Sequence, residues 1–272
     1  MTPNSQSKTA FWPSFWLLFG LGFLGILALP LILLPQLQQL IPAEQTEFSP
    51  AGLVVLSLVQ PTVLLAIATA VGLKLAPLLG FRSYLAAVPS RGASALAPLL
   101  QELPLAALGG VLFAAVSLLV DAVILPKLGS LGPTLSLTAN RSGGVTLASV
   151  LYGGITEELL MRWGLLTLLV WLGQRLVRRQ GRSSDEEGAL SRPVAGVVWG
   201  AIALSALLFG LGHLPILLAR VPLTSWLLLR TLGLNGLGGL LFGWLYWKRS
   251  LEAAMVAHVS THLVWSAIAL LL

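Results

Sequence analysis

Long apolar runs alternate with short polar stretches along the whole chain. An α-helix needs about 20 apolar residues to cross a bilayer. Seven runs meet that length: Phe11–Leu34, Ala51–Leu73, Leu105–Leu125, Val145–Gly173, Val194–His213, Thr224–Trp247 and Leu251–Leu271. We therefore predict an all-α fold, a polytopic transmembrane helical bundle of about seven to eight membrane helices.

The composition also indicates a membrane protein. Of the 272 residues, 56% are hydrophobic and only 10% are charged, and the mean hydropathy is +0.89, which is far from the values of soluble domains. The absence of cysteine excludes disulfides, thiolate metal sites and cysteine nucleophiles. The net charge of +6 does not require nucleic acid as a partner, because anionic lipid headgroups explain cations that lie mostly between apolar runs.

The positions of the cations predict the orientation of the chain. With a cytoplasmic N-terminus, eleven of the sixteen Lys and Arg residues fall in cytoplasmic segments: Lys8, Lys74, Arg82, Arg91, Arg175, Arg178, Arg179, Arg182, Arg192, Lys248 and Arg249. The other five fall outside (Lys127, Arg141 and Arg220) or within helices (Arg162 and Arg230). This distribution obeys the positive-inside rule, so we expect an integral, multi-pass membrane protein with its N-terminus in the cytoplasm.

Several local features carry structural expectations. Gln36–Pro50 is expected to form an external loop and Arg175–Arg192 a cytoplasmic loop, because both are polar. Pro215 is expected to end or kink the fifth span, and Asp121 to be an interfacial carboxylate.

The sixth span has two expected features of its own. The glycines of Gly233–Gly243 should allow close helix approach. An interfacial aromatic belt should follow at Trp244, Tyr246 and Trp247.

The fourth span is unusual because it carries charges in an apolar setting. Its only formal charges are Glu157, Glu158 and Arg162. Glu158 and Arg162 are four residues apart on one helix face, so they can form an ion pair that lowers the cost of burying both. Glu157 lies about 100° round the helix and is left to find another partner. Ionisable groups at membrane depth usually face a cavity, so this span is the first place to look for chemistry.

All three histidines lie in the C-terminal half, and His258 and His262 share a helix face. A cavity lined by Glu157, His213, His258 and His262 would hold a general base and several hydrogen-bond donors, which are the parts needed to hydrolyse an amide. The same inventory also fits a zinc-dependent protease or a metal transporter with these residues as ligands. A third alternative is a non-enzymatic membrane scaffold in which the polar residues hold helices together.

Three ordered motifs carry a family resemblance. Glu157-Glu158-x-x-x-Arg162, Phe209-x-x-x-His213 and His258-x-x-x-His262 resemble the motifs of the CPBP intramembrane proteases, which include the CAAX prenyl endopeptidases and the bacteriocin-processing, Abi-like proteins. The resemblance covers roughly 145 to 267.

The resemblance implies a metal-independent glutamate endopeptidase without a cofactor. It makes Glu157 and His213 the residues that activate water, and His258 with His262 the oxyanion hole. Glu158, Arg162 and Phe209 are implied supporting residues. The family commonly has Asn or Asp where this chain has His262, an imidazole that can still donate one N–H.

The resemblance and the spans together suggest two units. We expect residues 1–144 to form an N-terminal scaffold of about three helices, and residues 145–272 to form a catalytic core of about four helices. The expected partners are the lipid bilayer and a peptide or protein substrate that is prenylated or otherwise membrane-associated. The sequence predicts no oligomeric state.

Overall fold

The computed structural model describes residues 10–34, 49–139, 141–180, 193–219 and 221–272. Within these ranges it contains eight helices of eight or more residues, a few shorter helical turns and no strand, which confirms the predicted all-α membrane bundle. The helices are α1 (Phe11–Ala28), α2 (Pro50–Leu75), α3 (Tyr84–Arg91), α4 (Leu99–Ile124), α5 (143–180), α6 (Ala195–Leu218), α7 (Ser225–Lys248) and α8 (Leu251–Ala269). The predicted loop at Gln36–Pro50, apart from its last two residues, and the distal part of the predicted loop at Arg175–Arg192 lie outside the described residues.

Serine and threonine side chains define where most of the helices begin. A hydroxyl that accepts from the third residue of the first turn satisfies an amide that has no partner inside the helix. Such caps start α2, α3, α5, α7 and α8, with Ser49, Ser83, Ser142, Thr224 and Ser250 as the acceptors at 3.1 to 3.3 Å.

Five helical stretches are long and apolar enough to cross a membrane: Phe11–Leu34, Gly52–Leu75, Leu99–Leu135, Ala195–Leu218 and Ser225–Lys248. Their outward side chains include many exposed apolar residues, among them Val55, Val59 and Val63 on α2 and Leu108, Leu112 and Leu119 on α4. Exposed apolar faces of this extent fit a lipid surface and not water. The two other predicted spans correspond to α5 and α8, which carry the predicted glutamate pair and two of the histidines.

Helix α5 departs from the predicted α-helical geometry. It is α-helical at Gly143–Ala148 and Thr167–Gln180, but π-helical at Ser149–Glu157 and Leu159–Leu166. In a π-helix each amide donates to the carbonyl five residues back, and such segments are frequent at functional sites. The expectation of 3.6 residues per turn around the glutamates was therefore wrong.

Three predicted boundaries also differ from the structure. The fifth span does not end at His213 but continues through Pro215 to Leu218, because a proline removes only one hydrogen bond near the end of a helix. The stretch Arg175–Gln180, predicted as loop, is the charged end of α5 and consists mostly of good helix formers. Helix α4 begins at Leu99 and not at Leu105, with Pro104 inside it.

Helix α5 lies at the centre of the packing. α1 contacts its first π-helical segment and α2 its second, while α8 packs against α4, α5 and α7. The predicted close approach of α7 is confirmed at Gly239, where a Cβ would lie 2.5 Å from Ala206 Cβ, but Gly233 faces open space. Tyr246 was wrongly predicted in the interfacial belt: it is fully buried, and its hydroxyl bonds Thr167 at 2.7 Å.

Asp121 was predicted as an interfacial carboxylate, and this was also wrong. It is buried, and both of its oxygens accept from Arg230, at 2.7 Å from Nε and 2.9 Å from Nη2. This bidentate pair joins α4 to α7, and Leu137 N adds a third hydrogen bond to Asp121. Burial of two charges is tolerated here because each has a partner with good geometry.

Candidate active site

A cavity of about 340 Å³ lies among α5, α6, α7 and α8. Its lining includes all four predicted catalytic residues: Glu157, His213, His258 and His262. His213 reaches the cavity because α6 continues past it, which places the imidazole inside a helix and not at its end. Apolar side chains form most of the remaining wall, as is usual for a site that shields a few polar groups from water.

Glu158 lies at the centre of a buried cluster of charged side chains, where it contacts both Arg162 and His258. Its carboxylate is fully buried, and Oε1 lies 3.0 Å from Arg162 Nη1 and 2.8 Å from His258 Nδ1. The predicted Glu158–Arg162 ion pair is thus present, although the contact lacks hydrogen-bond geometry. The Arg162 guanidinium also lies 5.4 Å from the ring centres of both Phe209 and Phe242, which gives the supporting residue Phe209 a direct cation–π contact.

Glu157 has the opposite environment from its neighbour. It is half-buried, lines the cavity, and forms no hydrogen bond or ion pair with any residue that the structure describes. A carboxylate without a protein partner in an apolar cavity is free to bind water and to exchange a proton with it.

The tautomer of His213 follows from its hydrogen bond. Its Nδ1 lies 2.8 Å from the carbonyl oxygen of Phe209, and a carbonyl only accepts. Nδ1 therefore carries a proton, and in the neutral ring Nε2 has the free lone pair. The sequence places Phe209 one helical turn before His213, so the motif itself builds this hydrogen bond.

His258 and His262 form a stacked pair beside a glycine. Their ring centres are 4.9 Å apart with an interplanar angle of 20°, and Phe242 also stacks on His258, with ring centres 4.7 Å apart. A Cβ placed on Gly153 would lie 2.5 Å from His262 Nε2 and 3.6 Å from His258 Nε2. Both Nε2 atoms thus approach the same point on α5, and the lack of a side chain at Gly153 keeps it open.

A family model described as type II CAAX prenyl endopeptidase, Rce1-like, matches residues 139–264. Residues 139–264 belong to this family. The matched Rce1-like region contains all three motifs, and the match supports a CAAX-type peptide hydrolase of the membrane that acts on a membrane-associated protein. No match was found among curated proteins or solved structures.

Sequence reasoning missed one residue at the edge of this Rce1-like site. Arg141 precedes α5, and its Nη1 lies 3.5 Å from His262 Nδ1. Burial lowers the pKa of Arg141 to about 10, so the guanidinium remains charged at neutral pH. The sequence showed only a cation in a loop between spans, and no spacing rule links position 141 to position 262.

The predicted zinc alternative finds no support in the geometry of the Rce1-like site. Within the described ranges, no group of three or more His, Asp or Glu side chains is arranged to hold a metal ion.

Proposed function

We propose that this CAAX-type endopeptidase cleaves a peptide bond with a water molecule that Glu157 activates, without a metal ion. The observation that supports this proposal is the contrast between the two glutamates. Glu158 is held by Arg162 and His258, whereas Glu157 forms no hydrogen bond or ion pair with a described residue and lines a cavity with the three histidines. Of the two carboxylates, only Glu157 is available to move a proton.

The reaction has two proton transfers. Glu157 takes a proton from water while the water oxygen adds to the carbonyl carbon of the peptide bond, and the Nε2 lone pair of His213 orients the water. The carbonyl oxygen becomes an oxyanion, which N–H donors from His258 and His262 stabilise. Glu157 then passes its proton to the amide nitrogen as the C–N bond breaks, which releases an amine and a carboxylic acid and regenerates the carboxylate.

His258 serves this scheme as an imidazolium. Its Nδ1 proton is donated to Glu158, so a second proton on Nε2 requires the charged ring. The carboxylate of Glu158 stabilises that charge, and Arg162 lies against the same carboxylate oxygen. In this scheme Glu158 and Arg162 support catalysis without contacting the substrate.

The substrate enters this scheme from the bilayer. The cavity wall is mostly apolar, and the described residues form no large domain outside the helices. The cavity and lateral access between helices therefore determine which substrates are cleaved. Prenylated C-terminal segments, leader peptides and membrane-protein segments are all substrates of the required kind. We further propose a cytoplasmic N-terminus, with residues 1–144 as scaffold and residues 145–272 as catalytic core.

The test uses purified protein in lipid nanodiscs with a fluorogenic peptide bearing a farnesylated CAAX tail, together with peptides from unprenylated leader sequences. We expect hydrolysis that survives chelator and falls at least about 100-fold in Glu157→Gln, as removal of a general base requires. The thermal unfolding midpoint of Glu157→Gln should match that of the wild type. Chelator sensitivity with stoichiometric zinc would instead support the metalloprotease, and an unfolded Glu157→Gln protein would support the scaffold.

A further inference from the structure

The contact between Arg141 and His262 fixes where the proton of that imidazole lies. Arg141 Nη1 is 3.5 Å from His262 Nδ1, with hydrogen-bond geometry. A guanidinium has only donors, so in this long hydrogen bond Nδ1 acts as the acceptor, which is the unprotonated form of that nitrogen. In the neutral ring the proton is then on Nε2, the nitrogen that approaches Gly153 at the cavity.

We propose that Arg141 is a positioning residue that holds His262 in the Nε2–H tautomer, so that this imidazole donates into the cavity. The catalytic part of this proposal rests on the proposed function, because it supplies one of the two oxyanion donors. The tautomer itself does not depend on that function.

Arg141 is well anchored for this task. Its Nε donates to the carbonyl oxygen of Leu137 at 2.8 Å, and its guanidinium lies 5.2 Å from the ring centre of Trp265. Trp265 is itself fixed by a hydrogen bond from Nε1 to Ser117 Oγ at 3.0 Å. The guanidinium is therefore oriented by two groups other than His262, and its position does not depend on the contact that it makes with the imidazole.

The contact from Arg141 compensates for the presence of histidine at position 262, where the family commonly has Asn or Asp. A carboxamide always presents N–H donors, whereas a neutral imidazole presents an Nε2–H in only one of its two tautomers. A fixed N–H donor at Nδ1 disfavours the other tautomer, in which Nδ1 would carry the proton. His258 is another titratable group at this ring, on which it stacks, and Glu157, Tyr152 and Arg230 line the same cavity. His262 with Arg141 thus becomes equivalent to a carboxamide donor.

The kinetic test is a double-mutant cycle in nanodiscs with Arg141→Gln, His262→Asn, the double variant and the wild type. Arg141→Gln should lower kcat at least 10-fold with KM changed less than 2-fold, because the donor acts on the oxyanion and not on the bound substrate. In the His262→Asn background the further effect of Arg141→Gln should be below 2-fold. Arg141→Lys, which retains a cationic donor, should recover part of the lost kcat.

Two kinetic outcomes would overturn the proposal. One is an equal loss from Arg141→Gln in both backgrounds, which would indicate a purely structural role. The other is a His262→Asn enzyme that is no more active than His262→Ala, since an amide donor would then not replace the imidazole.

A spectroscopic test decides the tautomer without any activity measurement. The chain has three histidines, so ¹⁵N-histidine labelling gives three pairs of ring signals, and the His262 pair is identified by its loss in His262→Asn. We expect an unprotonated Nδ1 and a protonated Nε2 in the wild type, and a mixture of tautomers or an imidazolium in Arg141→Gln. A protonated Nδ1 in the wild type overturns the assignment. Failure of hydrolysis with the expected spectrum would reject the proposed function alone.

Discussion

Two adjacent carboxylates on α5 show how residue-scale environment divides roles. Glu158 lies between Arg162 and His258 and has no exposed surface, whereas Glu157 lines the cavity. If Glu157 and Glu158 exchanged roles, a buried charge would have to move away from its partner, which costs several kcal/mol. The order of the two glutamates in the sequence therefore matters as much as their presence.

Gly153 is expected to be essential for the geometry of the two oxyanion donors. In Gly153→Ala the new Cβ would lie 2.5 Å from His262 Nε2, so the ring must move. A displacement of that kind costs roughly 10- to 100-fold in kcat. Because the clash involves the end of a side chain and not backbone, the thermal unfolding midpoint should change little.

The matched control for this prediction is Gly233→Ala on α7, where no atom of the described residues lies within 4 Å of the added atom. Its activity and unfolding midpoint should equal those of the wild type. Full activity in Gly153→Ala would show that His262 Nε2 is not a donor to the reaction.

At the residue scale, the sequence predicted a contact where regular helical spacing links the two partners. The Glu158–Arg162 pair could be anticipated because spacing places both residues on one helix face. The shared cavity of the four predicted catalytic residues could be anticipated from their residue types and from the family resemblance. The Arg141–His262 contact could not be anticipated, because it joins positions 121 apart and depends on how a loop folds back over α8.

At the scale of elements, the Asp121–Arg230 pair fastens α4 to α7 beside the cavity. Asp121→Asn should lower the free energy of unfolding by about 3 to 5 kcal/mol, because it leaves the buried Arg230 guanidinium without a counter-charge. Thermal and denaturant unfolding in detergent measure this change. Lys127→Gln, an exposed charge nearby, should stay within about 0.5 kcal/mol. Equal stability of Asp121→Asn and wild type would contradict a structural role for the pair.

The helices were predicted more accurately than their local geometry. Apolar length identified every long helix, since burial in lipid requires a continuous apolar run. The π-helical segments of α5 could not be predicted, because the same residues are compatible with α-helical and with π-helical hydrogen bonding. Packing against α1, α2 and α8 decides between the two. The passage of α6 through Pro215 also reflects packing, which outweighs local propensity.

At the scale of the whole molecule, helices outside the Rce1-like region pack directly on the glutamate helix. Thr156, the residue before Glu157, donates its hydroxyl hydrogen bond to the carbonyl oxygen of Gly22 on α1 at 2.7 Å. Gly22 and Gly25 lie close enough to their neighbours that a Cβ would clash at either position. The position of Glu157 therefore depends on a helix far earlier in the chain, since the hydrogen-bonded residues Gly22 and Thr156 are 134 positions apart.

This coupling predicts that a single methyl group on α1 impairs the active site. In Gly25→Ala the added Cβ would contact Thr156 Oγ1 and lie 2.5 Å from the carbonyl oxygen of Leu151, both on the π-helical segment that ends at Glu157. Backbone cannot move aside as a side chain can, so α1 must shift, and overpacking of this kind costs about 1 to 3 kcal/mol. We expect a lower thermal unfolding midpoint together with a loss of peptide hydrolysis. Gly20→Ala on the same helix, where the new atom meets no atom of the described part of the chain within 4 Å, should leave both unchanged. A Gly25→Ala protein that keeps full activity despite reduced stability would mean that α1 supports the fold but does not position Glu157.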